Sequence, residues 1–159
     1  MKRESLEFDV VIVGAGPAGL SAACRLGQLA EEKGRDINVC LVEKGADVGS
    51  HILSGAVFET RALDELFPDW KERGAPVRVP VEKDSFYWLF SERIGLNVPR
   101  FFVPKVMRNS GNYVVSLGRL CQWLGGQAEA LGCSIFSSFS ATDILYDQKG
   151  SVVGVVTGD

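Results

Sequence analysis

An apolar run, Asp9-Val10-Val11-Ile12-Val13, passes directly into Gly14-Ala15-Gly16-Pro17-Ala18-Gly19 and then into an Ala-rich stretch. Strand, Gly-x-Gly-x-x-Gly and helix in that order form the crossover turn of a dinucleotide-binding βαβ unit. Gly14 permits the tight turn, Gly16 lets the backbone approach a pyrophosphate with no Cβ in the way, and Gly19 lets helix and strand pack closely. Pro17 suits the first helical turn, where its missing N–H would have gone unpaired. Ala18 follows at the positive end of the helix dipole, where free N–H groups meet phosphate.

The pattern predicts a strand at Phe8–Val13, a helix from Pro17 to Lys33 and a second strand at Ile37–Val42. Both strands read as continuous apolar runs, as parallel strands buried on two faces do. Gly19, Ala23, Leu26 and Ala30 recur at spacings of three and four, a small-residue face to lay against a sheet. Glu43 stands 24 residues after Gly19, close to the usual separation of about 20 for an acid that accepts hydrogen bonds from a ribose 2′-OH. Such a carboxylate repels a 2′-phosphate, so NADP is disfavoured and FAD and NAD remain. Lys44, next along, is placed to contact adenine with its backbone or stem.

Beyond Gly45 the alternation stops, and five prolines between Pro68 and Pro104 interrupt the chain. A short helix is expected at Ala62–Phe67, with extended chain at Asp84–Phe90 and around Val98–Met107. Leu117, Leu120, Leu124, Ala128 and Leu131 make a helical stripe that stops at Gly132. Strands at Ala141–Tyr146 and Val152–Thr157 flank a turn at Asp147–Gly150. The fold class is therefore α/β, a Rossmann-like domain with a mainly parallel sheet and added antiparallel strands. Residues 76–114 form an irregular antiparallel insertion within the single domain 1–159.

Other readings fall away on composition. The chain has 159 residues, 46% hydrophobic, with a formal net charge of −3, and no basic stripe of the kind nucleic-acid phosphates require. A charged start leading at once into a strand leaves no room for a signal sequence, so a bacterial-type cytoplasm is expected. No apolar run approaches the ~18 residues of a spanning helix, so membrane contact would be peripheral. Cys24, Cys40, Cys121 and Cys133 show no metal-ligand spacing, and the first two fit as small apolar residues. No metal site is assigned, and no catalytic acid or base either.

The turn Gly14–Gly19 with Leu20-Ser21-Ala22-Ala23 and Glu43-Lys44 is similar to the N-terminal FAD site of glutathione-reductase-type flavoproteins. With His51–Ala56, Leu66-Phe67-Pro68-Asp69-Trp70-Lys71, Gly74-Ala75-Pro76, Gly111-Asn112-Tyr113 and Gln127–Gly132, the sequence resembles the electron transfer flavoprotein–ubiquinone oxidoreductase family from about Phe8 to Asp159. That resemblance implies FAD, a [4Fe–4S] cluster whose ligands lie outside this chain, and electron transfer flavoprotein and ubiquinone as partners. It also implies a peripheral position on the cytoplasmic side of a bacterial inner membrane. The chain would then be an N-terminal part of the FAD domain, inactive alone. Ser50, His51, Ser54 and Gly55, in a small-residue loop after the second strand, would lie near the pyrophosphate or isoalloxazine, and Arg119 would reach phosphate. Ile94–Met107, apolar yet with Arg100, Lys105 and the adjoining Arg108 among its apolar groups, reads either as domain packing or as a ledge meeting lipid or a quinone entrance, the cations then meeting headgroups. Two alternatives remain from the sequence: an FAD-dependent geranylgeranyl-type reductase, and a nucleotide-binding module without turnover.

Overall fold

The computed structural model describes residues 4–53 and 55–158. Ser54, one of the loop residues singled out above, lies outside the described residues. The first unit comprises β1 (Val10–Val13), α1 (Pro17–Lys33) and β2 (Val39–Glu43). β1 and β2 pair in parallel, Val10 opposite Val39 through Val13 opposite Val42. The ends of α1 coincide with expectation because both have local causes. Pro17 occupies its first turn, and Gly34 adopts a left-handed φ of 57° that turns its N–H back onto the carbonyls of Ala30 and Glu31.

A third parallel strand, absent from the sequence reading, extends this sheet. After α2 (Arg61–Leu66) and α3 (Leu117–Ala130), the chain forms β8 (Ser134–Ser137), which pairs with the far side of β2 and gives the order β1-β2-β8. Between β2 and α3 the sheets are built from short strands. β3 (Ala56–Phe58), β7 (Tyr113–Val115) and β4 (Val79–Pro80) form one antiparallel sheet with β7 central, and β5 (Phe86–Leu89) pairs with β6 (Gly95–Val98) as a hairpin. The ribbon β9 (Ala141–Tyr146) and β10 (Val152–Thr157) closes the described chain, with the expected turn between them.

Three expectations need correction. The buried stripe of α1 is Leu20, Ala23, Cys24 and Gly27, rotated from the anticipated face. It rotates because α1 packs on α3 as well as on the sheet: a Cβ at Gly27 would stand 2.7 Å from the Leu131 Cβ, and the Cys24 thiol lies 3.6 Å from the Leu124 carbonyl oxygen. The stretch around Val98–Met107 is not extended throughout. Pro99 and Pro104 each start a 3-10 turn, Arg100–Phe102 and Lys105–Met107, closed by Phe102 N–H to the Pro99 carbonyl and Met107 N–H to the Pro104 carbonyl. Finally, only β2 is buried on both faces. β1 presents Val11 and Val13 outward, Val13 with 59% of its surface exposed, because among the described residues no layer covers that face and no strand pairs with its outer edge.

The core runs between sheet and helices: Leu20, Ala23 and Cys24 from α1, Val39 and Leu41 from β2, Leu120, Cys121 and Leu124 from α3. Phe67 and Trp70, from the segment after α2, join it. There the Trp70 indole N–H donates to Asp64 Oδ1 at 2.7 Å, and the Gln28 amide donates to the Leu66 carbonyl at 2.8 Å, fastening the segment to α1. Leu66–Lys71, part of the family resemblance, thus serves packing.

Candidate functional site

The glycine turn sits where β1 meets α1. Gly14 has φ 98°, in the left-handed region, and its N–H donates to the Val42 carbonyl at 2.8 Å, tying the turn to β2. A Cβ on Gly19 would come 2.1 Å from the Gly14 carbonyl oxygen, so helix and turn are in backbone contact. Gly16 is different. A Cβ there would meet nothing within 4 Å, so the space above it is open to a ligand. Gly16 is also the N-cap of α1 in extended conformation, with no side chain capping the helix and no acid in the first turn. The N–H groups of Ala18 and Gly19 fall in that uncapped first turn, where helices leave their donors unsatisfied, and they face no competing carboxylate from the helix itself.

Glu43, at the end of β2, does more than its position suggested. Its Oε2 accepts the Ala15 N–H at 2.9 Å and its Oε1 accepts the Gly45 N–H at 2.7 Å. The carboxylate thereby clamps the glycine turn to the turn leaving β2. Each oxygen keeps lone-pair capacity for a further donor such as a ribose hydroxyl. Its charge is felt in the core: burial first, and Glu43 second, push the Cys121 thiol up to about 11. Lys44 is exposed beside it.

The loop after β2 reaches α3. A Cβ on Gly49, whose φ is 83°, would stand 2.5 Å from the Gly118 carbonyl oxygen, so Gly49 and the first turn of α3 touch through their backbones. Ser50 and His51 follow directly in that loop, both exposed. Ser116 caps α3, its hydroxyl accepting the Arg119 N–H, and the exposed Arg119 side chain leaves from that same turn. Gly55 has φ 86°, in the left-handed region. The structure thus gathers Gly14, Gly16, Pro17, Ala18, Gly19 and Glu43 into one cradle, with Ser50, His51 and Arg119 on the adjoining loop and helix end. Sequence reasoning missed Gly45 and Gly118. A glycine shortly after the strand-end acid and a Ser-x-x-Arg helix start were the available signals.

The cysteines take no part. Cys24, Cys40, Cys121 and Cys133 are all buried, and burial, with the neighbouring Cys133 second, pushes Cys24 up to about 12. Among the described residues no group of three metal-binding side chains converges, so these cysteines do not form the four-thiolate set of an iron–sulfur cluster.

A family profile described as an NAD(P)-binding Rossmann-like domain matches residues 12–68. Along all 159 residues the chain is 64% identical to the electron transfer flavoprotein-ubiquinone oxidoreductase of Pseudomonas aeruginosa, covering 29% of that protein. Over its whole length the chain is homologous to electron transfer flavoprotein–ubiquinone oxidoreductases. The mitochondrial enzyme of that name from Bos taurus is 53% identical over 160 aligned residues, 25% of its length. The chain therefore spans little more than a quarter of the curated oxidoreductases it matches. Among solved structures, a geranylgeranyl bacteriochlorophyll reductase-like protein from Thermoplasma acidophilum superposes with a TM-score of 0.65 at 18% identity, over 94% of this chain and 34% of that one. The myxobacterial chondrochloren halogenase CndH, a variant of FAD-dependent halogenases, gives 0.60 at 21% identity, over 93% of this chain and 32% of its own. Both likenesses concern the fold.

Proposed function

We propose that this chain forms the adenosine- and pyrophosphate-binding part of an FAD site in an enzyme that carries electrons from reduced electron transfer flavoprotein to ubiquinone. The open space over Gly16, above the uncapped N-terminus of α1, carries the reading. The cradle fits a dinucleotide because the space over Gly16 is clear of protein atoms, and because Glu43 stands beside it with acceptor capacity to spare. When bound, the flavin supplies the redox chemistry and the chain supplies placement. Ala18 and Gly19 would donate to the pyrophosphate, Glu43 would accept from the ribose, and Arg119 would add a cation. Homology at 64% identity, not the shared fold, favours the quinone enzyme over a lipid reductase. The cluster of that family would be held by residues other than these four cysteines.

The hairpin β5–β6 and the two turns after it supply membrane contact in this reading. Phe101, Phe102 and Val106 are 73%, 68% and 94% exposed, and the two phenylalanine rings lie with centroids 4.0 Å apart, tilted at 38° to one another. Trp88, Leu89, Phe90 and Leu96 add exposed apolar surface on the hairpin. Apolar tips with cations around them suit a peripheral seat at a bilayer interface, on the cytoplasmic side in a bacterium. No helix among the described residues is long and apolar enough to cross a membrane.

Visible spectra before and after addition of FAD test the cofactor assignment. Flavin absorbance should survive desalting in the intact protein, and its loss would remove the assignment. Phe101→Ser with Phe102→Ser tests the membrane seat: vesicle binding should fall, and unchanged binding would exclude it.

A further inference from the structure

At the foot of the β5–β6 hairpin a cavity of about 380 Å³ opens between Asp84, Phe86, Pro99, Arg100, Val103 and Arg108. Its only carboxylate is already engaged. Asp84 Oδ2 accepts the Asn109 backbone N–H at 2.7 Å, and Oδ1 takes the Asn109 amide at 3.4 Å. Among the described residues the ion pairs are Arg25–Glu32, Arg61–Glu59 and Arg73–Asp69, so neither Arg100 nor Arg108 has a carboxylate partner. Arg108 is held in place: its Nε donates to the Val103 carbonyl at 2.9 Å, which orients the guanidinium and leaves the Nη edge for another acceptor. From Asp84 to Arg108 the chain carries four cations against two carboxylates, on a protein whose net charge is −3.

We propose that Arg100 and Arg108 bind a phosphodiester in this cavity, and that its source is the headgroup of an anionic membrane lipid. The proposal rests on the membrane seat described above. Leu96, Phe101, Phe102 and Val106 are exposed beside the cavity's lining residues. With those side chains in the interface, the two guanidinium groups stand near headgroup depth. A forked guanidinium pairs with phosphate oxygens in a fixed geometry, which separates a built site from diffuse attraction to a charged surface.

Cosedimentation of the intact protein with phosphatidylcholine vesicles, with and without added phosphatidylglycerol, tests this. Arg100→Gln with Arg108→Gln should reduce the preference for phosphatidylglycerol roughly tenfold or more, while binding to phosphatidylcholine alone persists through the aromatic side chains. Lys105→Gln, an equal loss of charge per site outside the cavity, should cost less than either arginine change. If Lys105→Gln lowers the preference as much as Arg108→Gln does, the attraction is diffuse and the site is refuted. Arg100→Lys with Arg108→Lys keeps the charge and should still weaken binding; full retention also refutes the fork. Inorganic phosphate that saturates the cavity without being displaced by phosphatidylglycerol vesicles would make the ligand a free anion and overturn the lipid assignment. Loss of binding to both vesicle types in the Phe101→Ser, Phe102→Ser protein supports the seat on which the proposal stands, and unchanged binding there removes seat and proposal together. Circular dichroism of each variant against the parent confirms folding, and Arg100→Gln alone, which leaves the Arg108 to Val103 hydrogen bond intact, supplies the reading should the double variant unfold.

Discussion

Replacing Gly19 by Ala and, separately, Gly16 by Ala should split folding from ligand binding within one turn. Both glycines belong to the same motif, yet their surroundings differ: a Cβ on Gly19 lands 2.1 Å from the Gly14 carbonyl oxygen, whereas one on Gly16 meets nothing within 4 Å. Helix propensity alone would make Gly19→Ala stabilising by about 1 kcal/mol. The clash is with backbone in a turn already held at φ 98°, so relief requires moving α1 against β1, and the overpacking cost is at or above the usual upper value of about 3 kcal/mol. The net loss of about 2 kcal/mol corresponds to a fall in Tm of roughly 4–8 °C for a domain of this size. For Gly16→Ala the cap preference against Ala and the reduced freedom of the unfolded chain oppose one another at about 1 kcal/mol or less each, so Tm should move by less than about 3 °C. The added methyl would nevertheless occupy the place of the phosphate, and FAD affinity should drop at least tenfold. Thermal melts followed by circular dichroism, with flavin fluorescence titrations on the same preparations, measure both quantities. A Gly19→Ala protein that melts at or above the parent temperature would refute the close-approach reasoning, and a Gly16→Ala protein with parental FAD affinity would refute the cradle.

Glu43→Gln replaces one acceptor of the double clamp by a donor facing an N–H, at a cost of about 1.5–3 kcal/mol; both Tm and FAD affinity should fall in melts and titrations. Trp70→Phe removes the first of the two hydrogen bonds, the other from Thr60, that hold Asp64 below the ordinary carboxylate value of 3.8. A depressed folded-state pKa stabilises above the unfolded value and ceases to do so as pH falls through the folded value, so the variant should show a higher Asp64 pKa by NMR and a flatter loss of stability below about pH 4. With Cys24 pushed up to about 12 and Cys121 to about 11 by burial, native protein at pH 8 should resist iodoacetamide at both. In guanidinium chloride they should label freely, as mass spectrometry would record.

Some of this structure was legible in the residues themselves. Pro17 at one end and a left-handed Gly34 at the other set α1, and the turn at Asp147–Gly150 set the terminal ribbon, because each boundary has a local cause. β8 escaped because Ser134–Ser137 is four residues long and half polar, with its strand character coming from pairing to β2. The turns at Arg100–Phe102 and Lys105–Met107 escaped because each proline admits extended chain as readily as a 3-10 start. The same divide runs through the site. The glycine spacing and the place of Glu43 could be read directly, whereas the contact of its carboxylate with Ala15, 28 residues away in sequence, depends on how β1 and β2 align. Gly49 against Gly118 likewise depends on where α3 docks.

The open outer edge of β1 couples two equilibria. Among the described residues, the strand that ends in the glycine turn is hydrogen-bonded on one side only, through β2. Order in the turn therefore shares its free energy with order in the strand. A nucleotide held at Gly16 would slow amide exchange along Val10–Val13, and any strand that pairs with the free edge would tighten nucleotide binding by the same factor, since linkage is reciprocal. Cofactor affinity in this fold is thus a reporter of what lies against β1, several residues away from any atom the nucleotide touches.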